Sequence, residues 1–279
     1  MAAAGRLALA GLRLVGGGAV DLEAEGGRWV SVRPAAAAGG ELAWHPGALD
    51  PHINGWGGLD FLTHDPAEGA GPLRALCATG TTAFLPTLIS APEAELRAAL
   101  GRWQRWAAAP TPGAPRLAGL HLEGPFLAPE RAGVHPRAAL RPPDPDWIEA
   151  LLDAYPGLIR LVTLAPELPG ALEVVRRLRA RGVAVGIGHT GAGATAVRAA
   201  VAAGARWVTH LFNAMAPFHH RAPGPAGVAL VEAGVVCEVI ADGHHLAPEA
   251  LAIAWRCRGP GGIALCSDAV AAEAGRLGG

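Results

Sequence analysis

The sequence predicts an α/β protein: a (β/α)8 TIM-like barrel carrying a small N-terminal β-layer. From Leu49 onward, short apolar runs alternate with Ala/Arg-rich amphipathic stretches, and eight such runs can be counted, the repeat number of that barrel. The runs are almost continuous in apolar residues, as expected of strands covered on both faces. Five of them end in metal-ligand or acid–base residues: Asp50-Pro51-His52-Ile53-Asn54, His121-Leu122-Glu123, Gly188-His189-Thr190, Thr209-His210 and Ser267-Asp268. Side chains at the C-terminal ends of separate strands converge only if the strands are parallel neighbours. A doubly wound sheet is the rival, but Gly55–Gly58 does not match its Gly-rich phosphate fingerprint.

Residues 1–45 read as a small β-domain beside the barrel, with strands Arg6–Leu14, Ala19–Ala24 and Arg28–Val32 separated by glycine. The barrel domain is 46–279. Its strands are expected over 49–54, 82–87, 117–123, 159–164, 183–189, 207–212, 236–241 and 263–267. Helices are expected over Glu93–Ala108, Trp147–Ala154, Ala171–Ala180, Ala194–Ala203 and Pro248–Arg256. Pro110–Pro115 and Arg141–Asp146 are loops. After Asp268 only eleven residues follow, rich in glycine. The expectation is therefore a C-terminally truncated barrel without its last helix, with apolar surface exposed beside its first and last strands.

At 279 residues with a net charge of −1, the chain offers nothing for a nucleic-acid or anionic-membrane partner. No stretch is apolar for long enough to span a bilayer, and Arg6 and Arg13 interrupt any signal-peptide core. Four scattered cysteines with no C-x-x-C pair argue against a disulfide framework and fit a reducing cytoplasm. All 23 basic residues are arginine. Without lysine, a carboxylated-lysine bridge between two metals is excluded.

Glu123, His189 and His210 together supply one carboxylate and two imidazoles, a ligand set for a catalytic metal with an open water position. Singly, each is equally a loop acid or a structural histidine; the conjunction carries the reading. Asp268 suits a proton shuttle beside the metal, or a helix N-cap. His121 lies two residues before Glu123 on the same strand face, beneath the metal. His52-Ile53-Asn54 resembles an H-x-H pair whose second histidine is asparagine, so His52 is at most a weak second-metal ligand and a second ion is not expected. The glycines around His189 are read as room for a ligand. His45 and His64 are read as surface residues. His219, His220 and Arg221 form either an anion-binding loop or a solvated basic one.

The segments His121-Leu-Glu-Gly-Pro-Phe126, Gly133-Val-His135, Gly188-His-Thr190, His210-Leu-Phe-Asn-Ala-Met215, Ala241-Asp-Gly-His-His245 and Ser267-Asp268 resemble the amidohydrolase superfamily and, within it, the N-acetylglucosamine-6-phosphate deacetylase family, across essentially the whole chain. The resemblance implies metal-dependent hydrolysis of the acetamide of N-acetylglucosamine 6-phosphate to glucosamine 6-phosphate and acetate. It implies one divalent metal on Glu123, His189 and His210: Zn, with Fe, Co or Mn accepted by the same ligands. Asp268 would be the general acid/base and His135 the group polarising the carbonyl. His245 would contact the sugar, while Asn213, the backbone at Ala214 and Arg221 would hold the phosphate. A cytoplasmic homodimer with Arg221 near the interface is implied as well. The alternatives are another mono-metal amidohydrolase, acting on a different N-acetyl amino sugar or a nucleobase, and an inactive truncated relic that binds sugar phosphate.

Overall fold

Eight parallel strands succeed one another in chain order around the larger unit of the structure, a computed structural model describing residues 6–14, 17–26, 28–37, 43–44 and 47–272. The chain divides into two compact units, Met1–Gly47 and Ala48–Gly279. In the second, the strands are β1 (Ala48–Ile53), β2 (Thr81–Ile89), β3 (Leu120–Glu123), β4 (Ile159–Leu164), β5 (Ala184–Ile187), β6 (Trp207–Val208), β7 (Val236–Ile240) and β8 (Ile263–Cys266). The helices between them are α1 (Ala70–Cys77), α2 (Glu93–Ala108), α3 (Pro145–Ala154), α4 (Ala171–Ala180), α5 (Ala194–Ala203), α6 (Gly224–Val231) and α7 (Pro248–Arg258).

The seam between β8 and β1 is closed by hydrogen bonds just beyond the strands. The Asp268 amide donates to the His52 carbonyl at 2.9 Å, and the Asn54 amide to the Ala269 carbonyl at 2.7 Å. Asp50, a buried acid within β1, clasps the seam from within. Its oxygens accept from the Ser267 hydroxyl at 2.5 Å and from the amides of Ser267 and His52 at 3.2 Å each.

Helix α2 illustrates how the barrel is covered. Glu93 and Glu95 lie in its first turn, where carboxylates complement the helix dipole. Leu96, Ala99, Leu100, Trp103 and Trp106 recur at three- and four-residue spacing and are all buried. Trp103 meets Phe61 edge-on at 5.3 Å between ring centroids, and its indole N–H donates to the Phe61 carbonyl at 2.9 Å. Truncating such a residue to alanine costs about 3–5 kcal/mol. Helix α3 begins two residues before its expected start, because Asp144 caps it by accepting from the amides of Asp146 and Trp147 at 3.1 and 3.0 Å, with Pro145 in the first turn.

Strand β3 begins three residues later than expected, and two strands end well short of their expected C-termini. The run 183–189 leaves the sheet after Ile187, and 207–212 after Val208. The reason lies in the backbone: His189, His210, Phe212 and Ala214 have φ of 47°, 31°, 76° and 49°, and a left-handed residue cannot continue a strand ladder. Neither α1 nor α6 is among the expected helices, and α6 has the sequence Gly-Pro-Ala-Gly-Val-Ala-Leu-Val, with two glycines and a proline. It forms because nearly every residue in it is buried, so packing overrides weak propensity. Among the described residues no helix follows β8, and Leu49, Leu265 and Trp255 are 50%, 63% and 53% exposed.

The smaller unit is a sheet in which Ala19–Glu25 pairs antiparallel with both Arg6–Leu14 and Arg28–Pro34. Ala43–Trp44 pairs parallel to Arg6–Leu14. Leu12, Val20 and Leu22 form its small core. The expectation for His45 lies outside the described residues, and His64 is exposed.

Candidate active site

At the C-terminal rim of the barrel a single carboxylate faces four imidazoles. Glu123 ends β3 and is 4% exposed. Its Oε1 lies 2.9 Å from His189 Nε2 and 3.0 Å from His210 Nε2, and those two nitrogens are 3.1 Å apart. Its Oε2 lies 3.4 Å from both His52 Nε2 and His135 Nε2. Burial alone would raise the Glu123 pKa, but the charge on His52 and the close approach of His135, His189 and His210 hold it well below the usual carboxylate range.

The second nitrogen of each ring decides what the first presents. His189 Nδ1 lies 2.8 Å from the Arg131 carbonyl, which only accepts, so the proton sits on Nδ1 and Nε2 carries a lone pair. A lone pair, a carboxylate oxygen and a second imidazole nitrogen packed within 3.1 Å repel unless a cation or proton lies among them. A tetrahedral ion bonded at ~2.0–2.2 Å spaces its ligand atoms about 3.3 Å apart, close to the observed distances. Glu123, His189 and His210 therefore suit a divalent metal, and the hydrogen bond from His189 to Arg131 is the orienting contact that metal-bound imidazoles ordinarily make. His135 has the opposite tautomer. Its Nδ1 accepts from the Ser90 amide at 3.1 Å, so Nε2 bears the hydrogen and aims it into the site.

Asp268 lines the same pocket as His135. Its Oδ1 accepts from Asn54 Nδ2 at 2.8 Å and lies 3.2 Å from His52 Nε2. Burial is the main reason that its carboxyl is raised. Asp268 shares positive φ (48°) with His189 and His210; strained backbone of this kind concentrates where side chains must be aimed. The glycines before His189 do not make room for a ligand as expected. A Cβ on Gly188 would lie 2.8 Å from Thr163 Cγ2, and one on Gly186 2.7 Å from Thr209 Oγ1. They accommodate the Thr163–Thr209 pair inside the barrel.

No protein-family model matches the chain. It is 39% identical over 235 residues to N-acetylglucosamine-6-phosphate deacetylase of Bacillus subtilis, covering 82% of this chain and 58% of that one. It is 43% identical over 237 residues to the human protein of that name, covering 81% and 57%. It also superposes with a TM-score of 0.84 on the N-acetyl-D-glucosamine-6-phosphate deacetylase of Mycobacterium smegmatis, solved as a mutant with N-acetyl-D-glucosamine-6-phosphate. There the identity is 34% and the coverage 96% of this chain and 71% of that one. The chain belongs to the N-acetylglucosamine-6-phosphate deacetylase family. It spans 58% and 57% of the lengths of the two curated relatives.

In this member of the deacetylase family, one pocket of about 450 Å³ is lined by Asn54, Glu123, His135, His189, His210, Asn213, Ala214, His245 and Asp268. His52 lies fully buried beneath it. Arg221 is exposed and does not line the pocket, and its amide donates to His219 Nδ1 at 3.3 Å. His245 is fixed by Asp242, which accepts from its Nδ1 at 2.8 Å and from its amide at 2.9 Å. His121 is buried between Thr163 and Thr87, 2.8 and 3.3 Å away. Burial and the charge on His52 push it down to about 3, so it is neutral.

Sequence reasoning missed four residues here. Ser90 sets the His135 tautomer. Glu167 ties down the loop after His189, accepting from the Thr190 hydroxyl at 2.5 Å and the Gly191 amide at 2.6 Å. Asp50 holds the seam. Glu238 on β7 is wholly buried yet kept ionised, at about 2, by His52 against the effect of burial. For Asp50 and Glu238 the available signal was an acid inside a strand-forming run, which must be paired if the strand is covered on both faces.

Proposed function

We propose that this chain hydrolyses the acetamide of N-acetylglucosamine 6-phosphate, releasing acetate and glucosamine 6-phosphate. The observation that carries the reading is that the Asp268 carboxylate and the His135 ring line one pocket together with Glu123, His189 and His210, with His135 Nε2–H directed at Glu123. A divalent ion held there, Zn²⁺ or by the same ligand chemistry Fe²⁺, Co²⁺ or Mn²⁺, would lower the pKa of water towards 7 and polarise the amide carbonyl.

The chain's own residues supply proton transfer and orientation. Asp268, set by Asn54, takes the proton of the attacking water at a carboxylate oxygen. It then returns that proton to the leaving amine, which departs only when protonated. His135, its Nδ1 occupied by Ser90, donates Nε2–H to the oxygen on which negative charge develops. His245 is proposed to contact the sugar. Asn213, the backbone at Ala214 and Arg221 are proposed to hold the phosphate, a task that suits a guanidinium. Because Arg221 does not line the pocket of its own chain, we propose that it serves the site of a partner in a homodimer. Four free cysteines support a cytoplasmic setting.

The test is acetate release from N-acetylglucosamine 6-phosphate by the metal-loaded chain, with Asp268→Asn as control. Loss of the general acid/base should lower kcat about 10²–10⁴-fold while metal content is unchanged. A folded, metal-loaded chain that releases no acetate would refute the proposal and support the relic.

A further inference from the structure

The pocket takes its polar and apolar walls from different strands. Asn213 and Ala214 follow β6 and His245 follows β7, whereas Ile89 ends β2 and Leu62 lies between β1 and β2. In a ring of eight strands β2 and β6 stand on opposite sides. Ile89 is the register partner of Glu123 on the neighbouring strand, as Thr87 is of His121. Thr87 shows which way this face points, since its hydroxyl lies 3.3 Å from the buried His121 ring. Side chains two apart on a strand share a face, so Ile89 projects into the barrel mouth beside the Glu123 carboxylate. It is only partly buried, which leaves apolar surface on the pocket wall. Leu62 is 9% exposed and fixed by its backbone: its amide donates to Asp60 Oδ1 at 2.9 Å, and its carbonyl accepts from the Arg102 guanidinium. Val134 and Val270 also line the pocket, but at 84% and 60% exposure they are too open to enclose a ligand group.

The carbon of an amide carries oxygen, nitrogen and the acyl chain in one plane. In the reaction proposed above, its oxygen meets His135, from the loop after β3. Its nitrogen receives a proton from Asp268, after β8, and the sugar continues towards β6 and β7. The direction left for the acyl chain lies between the β8 and β3 sides, away from the sugar: the sector of β1 and β2. We propose that Ile89, with Leu62, forms the subsite for the acyl chain, and that the Ile89 side chain limits its length. The inference rests on the deacetylase reading for its substrate and adds what that reading leaves open, the acyl group removed. An apolar wall takes a short alkyl chain and disfavours a charged one, which would lose its water there without a partner.

The experiment compares kcat/KM of the zinc-loaded 279-residue chain for N-acetyl-, N-propionyl- and N-butyrylglucosamine 6-phosphate. One methylene in an apolar pocket is worth about 10–200-fold, so the wild-type chain should lose at least about tenfold with each methylene added. Ile89→Val should raise the propionyl-to-acetyl ratio about tenfold, and Ile89→Ala should raise the butyryl-to-acetyl ratio by more. These ratios do not change with the fraction of protein that is folded. Equal hydrolysis of all three by the wild-type chain, or ratios within about twofold of wild type in the variants, would overturn the proposal. Should Ile89→Ala fail to fold, Ile89→Val decides. A second readout needs no turnover: binding of acetate, propionate and butyrate to the cobalt-loaded chain, followed by its visible spectrum. Ile89→Ala, or Ile89→Val in its place, should favour butyrate over acetate about tenfold more than the wild-type chain does. If no N-acyl sugar is hydrolysed but this preference shifts, the deacetylase reading falls and the subsite stands. If the preference does not shift, the subsite falls whatever the hydrolysis.

Discussion

Loading the centre with metal should stabilise the fold by an amount that depends on Glu123. The three ligand atoms come from residues 66, 21 and 87 apart in pairs, so the unfolded chain holds no comparable site and the full linkage applies. At a free metal concentration of 100 times Kd the gain is about 2.7 kcal/mol. With a Tm shift of about 2–4 °C per kcal/mol for a domain of this size, Zn²⁺ or Co²⁺ added to chelator-treated protein should raise Tm by about 5–11 °C. Glu123→Gln keeps the shape of the side chain but removes the anionic ligand, and the same addition should move its Tm by about 1 °C or less at that metal concentration. Comparing increments rather than absolute Tm values removes the separate cost of leaving four imidazoles without their carboxylate. Thermal unfolding followed by circular dichroism is sufficient. No shift for the wild-type chain at any metal concentration, or an equal shift for Glu123→Gln, would refute the ligand assignment.

Three further outcomes are expected. Arg221→Ala should raise KM for the phosphorylated sugar about 10–100-fold, from the ~1.5–3 kcal/mol of a hydrogen bond to a charged group, and equal hydrolysis of unphosphorylated N-acetylglucosamine would contradict a phosphate-binding role. Asp50→Ala leaves the Ser267 hydroxyl and two amides without their acceptor and should destabilise the chain by about 1–3 kcal/mol, read as a lower urea midpoint at unchanged m. Iodoacetamide at pH 8 should label exposed Cys257 but not Cys237, whose thiol burial pushes up to about 11; mass spectrometry of the labelled peptides checks this.

The barrel was legible because its signal is a period. Apolar runs and amphipathic stretches alternate, and α2, α4 and α5 begin and end where that alternation predicts. The convergence of Glu123, His189, His210 and Asp268 was legible from chemistry, since polar residues that repeatedly end apolar strands need a common neighbour. What stayed hidden depends on three-dimensional partners. Glu238 in Val-Cys-Glu-Val-Ile looks like a strand's solvent-facing acid, and only closure of the barrel turns that face inward. The left-handed backbone at His189 and His210, which shortens β5 and β6, has no glycine to announce it. Helix α6 carries two glycines and a proline, and it is helical through the contacts around it rather than through its own preference.

The proposed metal ligands and the proposed proton carrier occupy different arcs of the barrel. Glu123 ends β3, while His189 and His210 lie two residues beyond the ends of β5 and β6, so the three span the arc from β3 to β6. Asp268 and His52 straddle the join between last stave and first, held by Asp50 and a few backbone hydrogen bonds. Local opening at that join would carry Asp268 away while leaving Glu123, His189 and His210 in register. A preparation can then hold its full complement of metal and still be inert, so metal content reports on one arc of the ring and turnover on its closure.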